Sequence, residues 1–173
     1  MKISIIVGTN ADKSYNRMLA EYITSLNLAD FEKVEIDLPL FGESEADGRV
    51  AEFRNKLKAS DGVIVTTPEY NKAVTPALKN AFEWLDGALI MKPTAVIGTS
   101  LGIQGATRAQ EDAREILLSP EVSALVFPGH EVLIGQAPQK FIDGTIDDEN
   151  TRLDVVKFAE SFVNFVKQYS GKD

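Results

Sequence analysis

Cysteine is absent from the 173 residues and histidine occurs once. Together these two shortages remove disulfides, thiolate nucleophiles, Cys-based zinc sites and His-rich metal coordination, so neither metal nor thiol chemistry is expected. No run of about 18 apolar residues could span a bilayer, and no basic start followed by an apolar stretch marks a secretory signal; a cytoplasmic location is expected. Positive charge is in the minority, with 18 Lys and Arg against 26 Asp and Glu and a net charge of −8. That balance repels a phosphate backbone and an anionic membrane surface, so nucleic acid and membrane partners are discounted. A phosphorylated small molecule stays open, because backbone amides at a helix N-terminus hold a phosphate without net positive charge.

What is present reads as one globular domain over residues 1–173, with 44% hydrophobic and 25% charged residues and a length that supports an ordinary core. Its centre is the stretch 61–87. Val63, Ile64 and Val65, flanked by Gly62 and Pro68 and extended by Thr66 and Thr67, have the continuous apolar character of a parallel strand covered on both faces. Pro76 suits the first turn of a helix, and Leu78, Ala81, Phe82 and Leu85 recur at helical spacing until Asp86-Gly87. The loop Pro68-Glu69-Tyr70-Asn71 is therefore held at the carboxyl end of a strand, where open α/β sheets place their ligand crevice.

The rest of the chain repeats that unit. Lys2 to Val7 predicts a first strand, and a helix carrying Met18, Leu19, Tyr22, Ile23 and Leu26 follows the polar turn Gly8 to Asn16. Val34, Ile36 and Leu38 alternate as a second strand ended by Pro39. After a loop to Ala46, a helix from about Asp47 to Ser60 buries Val50, Phe53 and Leu57. Thr94 to Ser100 reads as the fourth strand, Leu101 to Gly105 as a loop, Ala106 to Leu118 as a helix and Val132 to Ile134 as the fifth strand; a last helix opens at Asp147 or Asp148. Strands separated by helices imply a parallel sheet with right-handed crossovers, and five strands fit the doubly wound order 2-1-3-4-5.

Strands one, three and four are neighbours in that order, so the loops after them line one crevice. Gly8 to Asn16 offers hydroxyls, amides and backbone N–H groups at a helix start. It reads either as a phosphate nest or as an Asx/ST-rich turn with Ser14 as N-cap. It lacks both the P-loop pattern and the dinucleotide fingerprint, which Gly98, Gly102 and Gly105 also fail to match.

Three motifs resemble the flavodoxin-like NAD(P)H-dependent FMN reductases, a family that includes quinone, azo-dye and chromate reductases. The most specific is Thr67-Pro68-Glu69-Tyr70-Asn71 followed by Pro76 to Trp84. The first loop, with Leu19-Ala20 beyond it, matches at Gly8, Thr9, Ser14 and Asn16, but Ala11 stands where the family usually has Arg and Asp12 adds a negative charge, with Lys13 as the compensating cation. The third loop matches at Ser100, Gly102 and Gly105, with Ala106 closing it in place of a second Gly. The resemblance implies an α/β, flavodoxin-like three-layer sandwich with a five-stranded sheet. It implies FMN as cofactor, NADPH or NADH as hydride donor, a small-molecule electron acceptor and a homodimer, with tetramers also formed. The phosphate is expected on Thr9, Lys13, Ser14 and Asn16, and the ring between Pro68, Glu69, Tyr70 and Asn71 on one side and Ser100, Gly102 and Gly105 on the other. No catalytic acid or base is expected, since the flavin carries the hydride step.

Other readings stand beside this one. Glu69 is either a cofactor contact or a loop carboxylate in solvent or in an intersubunit salt bridge, and Tyr70 is a ring-edge or subunit contact. Trp84 belongs in a core or an interface, His130 in a loop, and Phe158, Phe162 and Phe165 in core and edge packing. For the whole chain, the alternatives are a flavodoxin-type electron carrier and an FMN-binding module without nicotinamide-dependent turnover.

Overall fold

The computed structural model describes residues 1–43 and 47–170, so the end of the expected loop to Ala46 lies outside the described residues. Strand β1 (Lys2–Val7) is buried from Ile3 onward; Ile3, Ile5 and Val7 face one layer of helices and Ile6 the other, as period-two alternation requires. Helix α1 (Tyr15–Ser25) leads to β2 (Asp30–Val34), and α2 (Gly48–Ala59) carries the chain back across β1 to β3 (Gly62–Thr67). Helix α3 (Pro76–Glu83), β4 (Pro93–Thr99) and α4 (Thr107–Leu118) continue the winding.

The strands pair in the order β2-β1-β3-β4-β5, all parallel. α1 and the long α6 (Glu149–Ser170) cover one face through Leu19, Ile23, Phe158 and Phe162. α2, α3 and α4 cover the other through Phe53, Leu57, Leu78 and Ala113. The chain leaves β1 in one direction and returns to β3 in the other, so the order reverses between these two strands, the place where this architecture opens a crevice. Among the described residues no helix is long and apolar enough to cross a membrane.

Four local outcomes differ from the sequence reading. The paired part of β2 ends at Val34, although Ile36 is buried and Leu38 packs on the same core. The reason lies in β1, whose chain turns away at Gly8 and leaves the later residues no ladder partner. The fifth strand position is shared by two short pieces, β5 (Leu125–Val126) and β6 (Leu133–Ile134), on opposite ends of β4; Pro128, with no amide to donate, lies in the detour between them. β4 stops at Thr99 and α4 starts at Thr107, one residue inside each expected boundary. Residues 135–146, given no element from periodicity, hold the single turn α5 (Ala137–Lys140) and a hairpin of β7 (Phe141–Ile142) and β8 (Thr145–Ile146). Asp143-Gly144, both at positive φ, forms its two-residue turn.

Candidate cofactor site at the carboxyl edge of the sheet

Register sets the loops after β1, β3 and β4 side by side, since Val7 pairs with Thr66 and Thr67 with Gly98. A cavity of about 640 Å³ lies between them, within the ~300–1,000 Å³ of ligand and cofactor pockets. Its walls are Lys13 to Asn16 from the first loop, Pro68 to Tyr70 from the second and Thr99 to Gln104 from the third.

The first loop is anchored at Gly8, whose amide donates to Thr66 O at 2.8 Å and whose carbonyl accepts from the Thr75 hydroxyl at 2.8 Å. A Cβ at Gly8 would fall 2.1 Å from Thr66 O, so the approach requires glycine. Thr9 is buried and its hydroxyl accepts the Ala11 amide at 3.1 Å; it shapes the loop and does not line the cavity. Ser14 caps α1 by accepting the Asn16 amide at 3.2 Å and also lines the cavity. The buried Asn16 amide donates to Thr99 O at 2.9 Å and accepts the Thr99 amide at 3.0 Å, tying this loop to the end of β4. Lys13 is exposed on the cavity wall and, among the described residues, makes no ion pair. The amides of Lys13 and Tyr15 likewise have no protein acceptor among the described residues, and they lie at the positive end of the α1 dipole. That donor set suits a phosphate.

In the second loop, buried Pro68 and half-exposed Tyr70 line the cavity. Tyr70 and Ala73 exchange backbone bonds at 3.0 and 3.2 Å around Asn71 (φ 53°) and Lys72 (φ 68°), a turn with positive φ at both centres, which favours Asn. Asn71 is therefore an exposed turn residue and stands off the cavity wall. Glu69 turns toward α4: its carboxylate accepts the Arg108 amide at 3.0 Å and lies 3.4 Å from Arg108 Nη1. The pair is made within the chain.

The third loop rests on β6. Ser100 donates its amide to Ile134 O at 3.0 Å and its hydroxyl to Gly102 O at 3.1 Å, and Gly102 O accepts the Gln136 amide at 2.8 Å. Gly105, at φ 63°, is buried against Leu133, where a Cβ would come within 2.5 Å of backbone carbon; it serves packing and lies off the cavity wall. At Gly102 the backbone faces open space, and a Cβ there would meet nothing within 4 Å, so the cradle is kept clear. Among the described residues the amides of Leu101 and Gly102 have no protein acceptor.

Of the expected residues the cavity brings together Lys13, Ser14, Asn16, Pro68, Glu69, Tyr70, Ser100 and Gly102, while Thr9, Asn71 and Gly105 shape the walls from behind. Tyr15, Thr99, Leu101, Ile103 and Gln104 complete the lining. Their signal in the sequence was adjacency to motif residues, since none carries a motif identity of its own. Trp84 is fully buried inside the chain and donates its indole N–H to Pro39 O at 2.9 Å; the core reading holds for it and the interface reading does not.

The profile of the family described as NADPH-dependent FMN reductase matches residues 1–139. "NADH-dependent flavin reductase subunit 2" of Lactobacillus johnsonii is 49% identical, over 97% of this chain and 98% of its own length. "NADH:(hydroxy)cinnamate reductase subunit CrdA" of Vibrio ruber is 37% identical over 96% and 88%. Among solved structures, FerB, a flavoenzyme NAD(P)H:(acceptor) oxidoreductase from Paracoccus denitrificans, superposes with a TM-score of 0.85 at 29% identity, covering 97% of this chain and 98% of its own. Sheet order, loop motifs and full-length similarity agree: the chain has the flavodoxin-like fold and belongs to the NADPH-dependent FMN reductase family.

Proposed function

We propose that the chain is an FMN-dependent oxidoreductase that passes hydride from NADH or NADPH to free FMN, a quinone or another small acceptor. The observation that carries this reading is the cavity wall formed by three loops, with amides on the first and third that have no protein acceptor among the described residues. FMN, when bound, supplies the hydride chemistry at its ring. Lys13, the Ser14 hydroxyl and the amides of Lys13 and Tyr15 hold the phosphate, with Thr9 and Asn16 fixing the loop that presents them. Pro68, Glu69 and Tyr70 form one side of the ring slot and Ser100 and Gly102 the other, with Asn71 and Gly105 setting the backbone behind them. The free amides of Leu101 and Gly102 are the donors for the ring edge where negative charge gathers on reduction. No side-chain acid or base is needed.

The test is the visible spectrum of the protein titrated with FMN and then mixed anaerobically with NADH or NADPH. Flavin bands that appear and then bleach support the reading; bound flavin that neither nucleotide reduces makes the chain an electron carrier. Lys13→Ala is expected to weaken FMN roughly tenfold, the worth of one charge-assisted contact, and to flatten the salt dependence of binding. The same reading takes the chain as one domain working as a cytoplasmic homodimer, with Tyr70, Leu101 and Ile103 exposing apolar side chains beside the cavity for a second copy to cover. Light scattering of the purified protein gives the mass that decides it.

A further inference from the structure

Helix α4 starts without a cap of its own. Ala106 occupies its N-cap position in the left-handed region, φ 60°, and makes no side-chain hydrogen bond to the first turn. The missing acceptor comes from 39 residues earlier in the chain, as Glu69 Oε2 takes the Arg108 amide at 3.0 Å. Arg108 Nη1 then reaches Glu69 Oε1 at 3.4 Å and Gln104 Oε1 at 2.5 Å. Glu69 and Gln104 belong to opposite walls of the cavity. One helical turn on, Asp112 Oδ2 accepts the Val74 amide at 3.0 Å, so the same face of α4 grips the second loop twice.

We propose that Glu69 is a positioning residue for the flavin: through the amide and guanidinium of Arg108, and on to Gln104, it sets the separation of the two loops between which the ring lies. The carboxylate side chain is 14% exposed, and its paired arrangement gives it a fixed place that a solvated loop acid would lack. Each end of the strut is backbone or wall, so its length is translated directly into the width of the slot. The inference rests on the flavin reading of the cavity for its consequence, but the strut itself is a property of the chain alone.

The experiment measures two quantities on the full-length protein: amide hydrogen exchange over residues 100–108 without FMN, and the dissociation constant of FMN by fluorescence quenching. Glu69→Ala removes the cap and is expected to speed exchange at Arg108 and along 100–105 and to weaken FMN about tenfold, the worth of a lost helix cap of about 1.4 kcal/mol. Glu69→Gln keeps an acceptor for the Arg108 amide and restores most of both. Arg108→Met keeps the amide bond to Glu69 and cuts the guanidinium contacts to Gln104 and to Glu69 Oε1, so it loosens 100–105 while the amide at position 108 stays protected. Unchanged exchange in a folded Glu69→Ala overturns the proposal, as does a Glu69→Gln that binds FMN as poorly as the alanine variant with exchange intact, since the carboxylate would then act on the ligand directly. Should the wild type bind no FMN, the flavin reading fails while the exchange data still decide the strut.

Discussion

Asn16, expected as a ligand and placed on the cavity wall, also holds two loops together. The oxygen and one N–H of its amide are committed to the backbone of Thr99, and the side chain is buried, so it ties the first loop to the end of β4. Asn16→Asp keeps the acceptor and loses the donor, setting a carboxylate oxygen against the Thr99 carbonyl. A cost of about 2 kcal/mol is expected at neutral pH. Protonation returns a donor, so the deficit shrinks as pH falls, and urea midpoints at pH 7 and near pH ~4.5 read the difference. Lys72 is a second case. It sits at φ 68°, where side chains are strained and glycine is not. Lys72→Gly relieves about 1–2 kcal/mol of strain and gives back part of it as unfolded-state entropy. The melting temperature should rise by roughly 1–2 °C.

Among the elements, the helices are positioned chiefly at their starts. Ser14, Asp47 and Thr75 cap α1, α2 and α3 from their own sequence, and Thr75 also donates to the carbonyl of Gly8, so one hydroxyl places both a helix and the loop after β1. α6 begins the same way, with Asp148 Oδ1 accepting the Thr151 amide at 2.8 Å and its hydroxyl at 2.5 Å. Those bonds hold the Asp148 carboxyl below its usual range. A carboxylate with a depressed folded pKa stabilises above the unfolded value and stops doing so as pH falls through the folded one. Asp148→Ala should therefore lower the melting temperature fully at pH 7 and by progressively less below about pH 4. Thermal scans of the two proteins between pH ~7 and ~3 check it. α4 alone of this set borrows its cap from another loop, and the borrowed cap, like Ser14 of α1, lies on the cavity wall.

Across the whole molecule, two apolar clusters share one sheet. Ile6, Val65 and Val96 serve the layer containing Trp84, while Ile5, Ile64 and Ile97 serve the layer of α1 and α6. Alternate residues of the same strands belong to different layers, so neither layer can dissolve without exposing the strands of the other. Trp84 is the sole tryptophan, and its emission reports one layer while far-UV circular dichroism reports all the helices. The two transitions are expected to coincide in urea; a Trp84 transition that comes first would mean that the layers unfold separately.

Much of this was legible in one dimension. Apolar runs at Ile3–Val7, Val63–Val65 and Thr94–Thr99, helical spacing between them, and the motif residues of three loops determined a parallel α/β chain, its strand order and the edge where a cofactor belongs. The hairpin at Asp143-Gly144 was not read from the sequence, because its two-residue strands are too short to show a period. What the tertiary structure decided is which loop residues face the cavity and which stand behind it. Asn71 turns out because its backbone is left-handed. Asn16 is bonded to a partner 83 residues away, and Glu69 to one 39 residues away. Local patterns specify dihedral angles and periodicity, which act over a few residues. A hydrogen bond between distant loops exists only once the sheet has set them side by side, and that contact assigns each polar side chain to the ligand or to the wall.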